Sequence, residues 1–327
     1  MKKYYIKAVQ EALFEEMERD PRVFLMGEDV RIGCFAATRG LCDTFGEERV
    51  IDTPIAELGV AGAGVGAAAT GSRPIVDLMF GQFLMLAYDQ ISNQANAMRY
   101  MFGGQTRIPI VYLVQNGTGP ALGPHHSNSV HPLFMNIPLV KVIMPSCPAD
   151  AKGLLKSAIR DDNPVIFFNH TSLGGMKGEV PDDGAYLIPI GKGDIKRQGT
   201  DITLCTVGLM TNVCLEAGKI LEPEGIRAEV VDLRSLKPWD KALVYESVKK
   251  TGRFLAVDES YHTCGAGAEW VASVAEDMFE HLKCPPQRLS GKEIPIPFSP
   301  ALQKYAVPNV EAVVDRVKRM VGRGAPR

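Results

Sequence analysis

The chain predicts an α/β protein of two domains, each with a mostly parallel sheet flanked by helices. Two observations carry that expectation. Short apolar runs alternate with stretches of helical periodicity in two separate blocks, which is the pattern of βαβ units. Between the blocks, from about Gly174 to Gly193, the pattern lapses into Gly, Pro, Asp and Lys, the composition of an interdomain connection. The boundaries expected are 1–180, a linker over 181–195, and 196–327. With 327 residues, 46% of them hydrophobic, the chain can bury two sizeable cores.

In chain order, the N-terminus runs directly into an amphipathic helix carrying Glu11, Glu15, Glu16 and Glu18. Strands are predicted at Val23–Gly27, Pro74–Leu78, Ile110–Val114, Val140–Met144 and Pro164–Phe168, with a β-like segment over Arg49–Thr53. Between them, apolar spacing predicts helices from Phe83 to Tyr100 and from Ala149 to Arg160. The second block reads as strands at Ile202–Val207, Ala228–Leu233 and Phe254–Asp258. Its helices are Met210–Ile220, Gly267–His281 and Val310–Met320.

Bulk properties narrow the function. Net charge is −2 with Lys and Arg scattered, so no basic stripe marks a nucleic-acid footprint. Seven cysteines without a CxxC pair read as free thiols in a reducing compartment. Neither a signal peptide nor a transit pattern is visible at the N-terminus, and no apolar run is fit to span a bilayer. A cytoplasmic protein is expected. No G-x-G-x-x-G follows a strand, which disfavours a nicotinamide cofactor.

Four local features point to chemistry. Glu57 ends the run Asp52-Thr53-Pro54-Ile55-Ala56-Glu57 and opens the Gly/Ala-rich helical stretch Val60–Ala69. Each glycine there costs about 1 kcal/mol against alanine, so the stretch is suited to close approach rather than to intrinsic stability. An acid at its entrance is either a helix-end partner or a reactive group. Phe83 follows a strand's carboxyl end, where it either stacks on a flat ring or joins the core. The loop Gln115 to Ser129 is rich in Gly and Pro and carries His125 and His126; proton transfer, anion recognition and metal ligation are its possible roles. Finally, Ser157 to Pro164 ends a helix in an Asp/Asn turn, where oxygens can gather around a hard cation or simply stop the helix.

The motifs Gly27-Glu28-Asp29-Val30, Arg49 to Glu57, Asp89-Gln90 with Gly103-Gly104-Gln105, and His126-Ser127 occur in this order. Met144-Pro145-Ser146, Ser157 to Pro164, Asp232 to Asp240 and Gly265 to Glu269 continue it. Together they resemble the beta subunit of the thiamine-diphosphate-dependent decarboxylating component of 2-oxo acid dehydrogenase complexes, of the pyruvate, branched-chain and acetoin types. The resemblance covers essentially the whole chain. It implies a transketolase-like pyrimidine-binding domain followed by a transketolase C-terminal-like domain.

Roles follow from the resemblance residue by residue. Glu57 falls on the glutamate that hydrogen-bonds the aminopyrimidine ring nitrogen of thiamine diphosphate and drives its tautomerism. Phe83 falls on the aromatic that stacks on the pyrimidine, and Glu28 on an acid near the cofactor. His126 falls on the histidine that meets substrate, intermediates and the incoming lipoyl group. A structural potassium site falls on Ile110, Ala158, Ile159, Asp161 and Asn163, through backbone oxygens at the first three. Asn128 stands where the family usually has Gln, with His125 added before His126, so the substrate stays open. No Gly-Asp-Gly run is present to anchor a diphosphate-bound magnesium ion. An alpha subunit is therefore expected to hold most of that end, in an alpha2-beta2 heterotetramer that serves a lipoyl-bearing acyltransferase core. Two alternatives remain: a split transketolase-like ketol transferase or synthase subunit, and a non-catalytic paralogue.

Overall fold

The computed structural model describes residues 1–322, so the end of the expected second domain, 323–327, lies outside the described residues. Two compact units emerge: residues 1–116 with 133–190, and residues 117–132 with 191 onward.

In the first unit the strands are β1 (Lys2–Tyr4), β2 (Val23–Gly27), β3 (Val50–Asp52), β4 (Arg73–Phe80), β5 (Val111–Asn116), β6 (Lys141–Ile143), β7 (Val165–His170) and β8 (Lys177–Glu179). Six of them pair in the order β6-β7-β5-β4-β2-β3, all parallel. The strands β4, β5 and β7 read as near-continuous apolar runs because both faces of a parallel sheet are covered. Its helices are α1 (Tyr5–Arg19), α2 (Leu41–Phe45), α3 (Glu57–Ala69), α4 (Asn96–Met101), α5 (His131–Met135, which crosses the division) and α6 (Pro148–Arg160). The short strands β1 and β8 pair antiparallel, β8 lying in the stretch that sequence composition leaves as connection.

Close approach does explain the glycines of α3. A Cβ on Gly64 would come within 2.7 Å of Val76 Cγ2 and 2.9 Å of Ile110 Cδ1, so only glycine lets this helix lie on the sheet at that depth. Its opposite face carries Gly59, Ala63, Gly66 and Ala69, all exposed. The stretch expected as one helix from Phe83 to Tyr100 is instead a 3₁₀ turn (Gly81–Met85), a π-helical turn (Gln90–Ala95) and α4. The wide π turn sets the Gln90 side chain against Gly62 of α3.

In the second unit the strands are β9 (Asp194–Arg197), β10 (Ile202–Thr206), β11 (Ala228–Asp232), β12 (Ser235–Lys237), β13 (Phe254–Tyr261) and β14 (Gln287–Gly291). The sheet order is β14-β13-β10-β11-β9, parallel except for β9 at the edge. Helices α7 (Leu209–Leu221), α8 (Lys241–Thr251), α9 (Ala266–Asp277), α10 (Pro300–Ala306) and α11 (Val310–Met320) complete it. On one face Ile202, Leu204, Val230 and Leu255 pack with Met210, Cys214, Val313 and Val317 from α7 and α11. On the other, the buried Thr203 hydroxyl bonds Ser247 and Thr251 of α8 at 2.7 and 2.8 Å. Neither β14 nor α8 was anticipated from the sequence.

Candidate active site

In the sheet of the first unit, Gly27 is in register with Asp52 of β3 and Asp77 of β4. The ends of β2 and β3 therefore lie level with Asp77 of β4, which runs on to Phe80, at the edge where open parallel sheets place ligands. Gly27 permits this closeness, since a Cβ there would stand 2.3 Å from the Asp77 carbonyl oxygen. Immediately beyond these ends, Glu28, Thr53–Glu57, Val60, Asp77–Met79 and Phe83 line one cleft. Glu28, Glu57 and Phe83, singled out separately in the sequence, are thus brought together.

Glu57 is the first residue of α3, and its helix end has no side-chain cap. Capping is not its task. Phe83 is half-buried and meets Phe80 edge to face, with centroids 5.8 Å apart, and Phe80 meets Phe35 likewise at 5.3 Å. That stack fixes the ring at the cleft wall. The Glu28 carboxyl is pushed up by desolvation and by the like charges of Asp29 and Glu57, so two acids share this space.

Sequence reasoning missed Asp77. The pairing of β4 with β5 slips between Asp77 and Phe80, and Met79 adopts φ 57°, an uncommon value for a residue with a Cβ. Asp77 Oδ1 accepts the Met79 N–H at 2.9 Å and holds this bulge. The residue as a whole keeps some exposure, but enclosure of its carboxyl raises the pKa to about 6, against the smaller opposing effect of the Met79 bond. A pKa raised in the folded state means a contribution present below the unfolded value of 3.8 and lost as pH rises through about 6. Asp77→Asn keeps an acceptor for Met79 and removes the charge. It is expected to raise the melting temperature at pH 8 more than at pH 5; equal shifts at both would refute the enclosed carboxylate.

His126 lies in the second unit, on the 117–132 loop. It is half-buried, His125 is exposed, and the His126 N–H donates to the Gly123 carbonyl at 3.4 Å. Two further polar pairs flank it. The buried His131 meets Asp258 at 3.0 Å, and the Thr118 N–H donates to the buried Glu259 at 2.7 Å. Desolvation opposes ionisation of Asp258, yet the charge and hydrogen bonds of His131 and Ser260 hold its pKa below the usual value.

Of the residues Ile110, Ala158, Ile159, Asp161 and Asn163, Ile159 and Asp161 meet Arg73. Its guanidinium donates to the carbonyls of Ile159 and Asp161 at 2.9 and 2.8 Å. The Ile110 and Ala158 carbonyls accept the N–H groups of Val165 and Asp161. Lys141 and Asn163 hold the Asp161 carboxylate, and Arg99 bonds Asn163 Oδ1 at 2.5 Å. The oxygen set suits a hard cation, since each carbonyl retains a second lone pair. Three basic side chains already oppose the local negative charge.

Glu57, whose carboxylate has no hydrogen-bond or ion-pair partner among the described residues, stands with a fixed aromatic ring in one cleft lining, an arrangement that fits a flat, weakly basic nitrogen heterocycle. The cleft lining contains no Lys or Arg, so a diphosphate finds no counter-charge in it. Among the described residues, no group of three or more His, Cys, Asp and Glu side chains is placed to hold a metal ion.

Comparison with known proteins agrees with this geometry. Residues 2–176 match the transketolase pyrimidine-binding domain, and residues 191–313 match the transketolase C-terminal domain. The 2-oxoisovalerate dehydrogenase subunit beta of Bacillus subtilis is 46% identical over 94% of this chain and 95% of its own. The pyruvate dehydrogenase E1 component subunit beta of Rhizobium meliloti is 45% identical over 95% of this chain and 68% of its own. The acetoin:2,6-dichlorophenolindophenol oxidoreductase subunit beta of B. subtilis is 42% identical over 97% of both. In fold, the chain is similar to a split-gene transketolase beta4 tetramer, with a TM-score of 0.79 over 98% of each chain at 24% identity. Across its length, the chain belongs to the family of 2-oxo acid and acetoin dehydrogenase beta subunits, built on transketolase pyrimidine-binding and C-terminal domains.

Proposed function

We propose that this chain is the beta subunit of a thiamine-diphosphate-dependent 2-oxo acid dehydrogenase, active only with an alpha subunit in an alpha2-beta2 heterotetramer. It decarboxylates pyruvate or a branched-chain 2-oxo acid, or cleaves acetoin, and passes the acyl group to a lipoyl-bearing core. The observation that carries this reading is the convergence of Glu28, Glu57 and Phe83 on one cleft at the strand ends.

When bound, the cofactor supplies the electron sink for carbanion chemistry. This chain's residues bind and orient it. Glu57 would hold a proton at the aminopyrimidine ring nitrogen, with the Glu28 carboxyl, itself pushed up mainly by desolvation, beside it. Phe83 carries the face of the ring, while His126 meets the substrate and the lipoyl group. The alpha subunit supplies the diphosphate site and its magnesium ion. The outward small-residue face of α3, with Leu58 and Ile55 exposed at its entrance, supports packing against a partner. We place the complex in the cytoplasm.

The three relatives lie within four percentage points of identity, so identity does not select a substrate. The discriminating experiment co-expresses the chain with its alpha subunit and measures cofactor binding. Turnover of pyruvate, 2-oxoisovalerate and acetoin is then followed with an artificial electron acceptor. Cofactor binding without turnover of any of them would favour the non-catalytic paralogue. Ketol transfer to a sugar aldehyde would favour the transferase.

The potassium site at Ile110, Ala158, Ile159, Asp161 and Asn163 is part of the same proposal. The complex is expected to melt a few degrees higher in potassium chloride than in choline chloride of equal ionic strength. Identical melting curves would remove the ion.

A further inference from the structure

Several residues of the second unit fasten the loop that carries His126. Thr118, at its start, donates its backbone N–H at 2.7 Å and its hydroxyl to Glu259 Oε1. The next amide, Gly119, donates to Gln303 Oε1 of α10 at 3.1 Å. Past the histidine, Tyr261 donates its hydroxyl to Asn128 Oδ1 at 2.9 Å, and His131 meets Asp258 at 3.0 Å. The Gly117 N–H closes the loop onto the Asn128 carbonyl at 3.3 Å. Asp258, Glu259 and Tyr261 are near neighbours at the carboxyl end of β13, and their loop partners stand on both sides of His126.

This geometry has a chemical consequence. Glu259 is 6% exposed and Asp258 1% exposed, so their bonds to the loop are shielded from competing water and are stronger for it. The loop is rich in Gly and Pro and has no regular structure of its own near His126. Bonds from the end of β13 therefore anchor the loop on both sides of the imidazole.

We infer that the carboxyl end of β13 sets the position of His126 for its reaction, with Glu259 the principal positioning residue and Tyr261 a second. The inference rests on the role given to His126 under the proposed function. It adds a specific part for Asn128, where the family usually has glutamine: its amide oxygen is the point at which Tyr261 grips the loop.

The test uses the complex reconstituted with the alpha subunit, pyruvate and 2-oxoisovalerate as substrates, and acylation of a lipoylated domain as readout. Displacing a reacting group by about 1 Å can cost about 100-fold, so Glu259→Ala is expected to slow acylation between about tenfold and 100-fold, with thiamine diphosphate affinity unchanged. Glu259→Gln is expected to restore the rate, because an amide oxygen can accept both bonds from Thr118. In a His126→Ala background, Glu259→Ala is expected to add less than about twofold, since residues acting as a unit are not additive. If Glu259→Ala does not fold, Tyr261→Phe, which loses one hydroxyl, takes its place in the same cycle.

Effects that multiply in the double variant, or a loss of cofactor affinity, would overturn the inference by making the role a general structural one. Acylation unchanged in the Glu259 and Tyr261 variants, with His126→Ala impaired, would overturn it as well. If His126→Ala itself acylates at the unaltered rate, the assignment of His126 fails instead.

Discussion

Glu57→Gln, reconstituted with the alpha subunit, is expected to assemble normally and to lose about 1,000-fold in turnover, within the 10² to 10⁴ range for a positioned acid-base group. Glutamine has the size and shape of glutamate, and the Glu57 side chain caps no helix end, so the substitution leaves α3 and its packing intact. What it removes is the ability to hold and release a proton at a ring nitrogen. Cofactor affinity should change far less than turnover, because Phe83 and the cleft wall remain. The measurement is a steady-state rate with an artificial electron acceptor beside a cofactor titration of the same preparation. Turnover close to that of the unaltered complex would remove Glu57 from its role. Loss of assembly would move the residue from chemistry to the interface.

The fold was legible where strands are buried on both faces and bounded by turns. The expected Val23–Gly27 coincides with β2, and Val310–Met320 coincides with α11. Their periods are unambiguous, and each ends at a clear boundary. From Phe83 to Tyr100 the reading failed in detail, because 3₁₀, α and π turns preserve similar apolar spacing and differ only in which amide meets which carbonyl. The edge strands β9 and β14 carry few apolar residues, so period alone does not find them.

The site divides in the same way. Glu57 and Phe83 were visible as an acid and an aromatic beside strand ends, Glu28 only through the family resemblance, and the pairing of β2 with β3 and β4 brings them to one cleft. Asp77 was hidden inside a strand run. An aspartate interrupting an apolar strand two residues before another loop-like position was the signal available. The bonds of Glu259 and Asp258 to the His126 loop span 141 and 127 residues, and no local pattern encodes such a pairing.

Replacing Glu15 is expected to have the largest effect on stability. The N-terminal acids read as the polar face of an amphipathic helix, but α1 lies against α6 and buries two of its partners. The side chains of Lys152 and Lys156 are 2% and 0% exposed, and both contact Glu15, at 2.6 and 2.5 Å. Lys156 has one further acceptor, the Gly184 carbonyl at 2.6 Å, and Lys152 reaches Glu11 only at 3.4 Å. Removing one partner of a fully buried ion pair typically costs about 3 to 5 kcal/mol; Glu15 is itself 31% exposed, so its loss costs less, with the two lysine charges left desolvated. Glu15→Gln should therefore lower the melting temperature of the complex clearly at pH 7.

The pH dependence gives a second check. Desolvation works against ionised Glu15, but hydrogen bonds and charge from Lys152 and Lys156 outweigh it and lower its pKa below 4.5. A lowered pKa contributes stability above the unfolded value and loses it as pH falls through the folded one. The gap between the unaltered protein and Glu15→Gln should accordingly narrow below about pH 4.5. Equal melting at pH 7 would show that the Glu15 contacts with Lys152 and Lys156 add nothing to stability. A triple replacement, Glu15→Leu with Lys152→Met and Lys156→Met, should recover much of the lost stability, since apolar groups of similar volume need no partner there. Failure of that recovery would mean that the ion triad sets the angle between α1 and α6 and does more than neutralise buried charge.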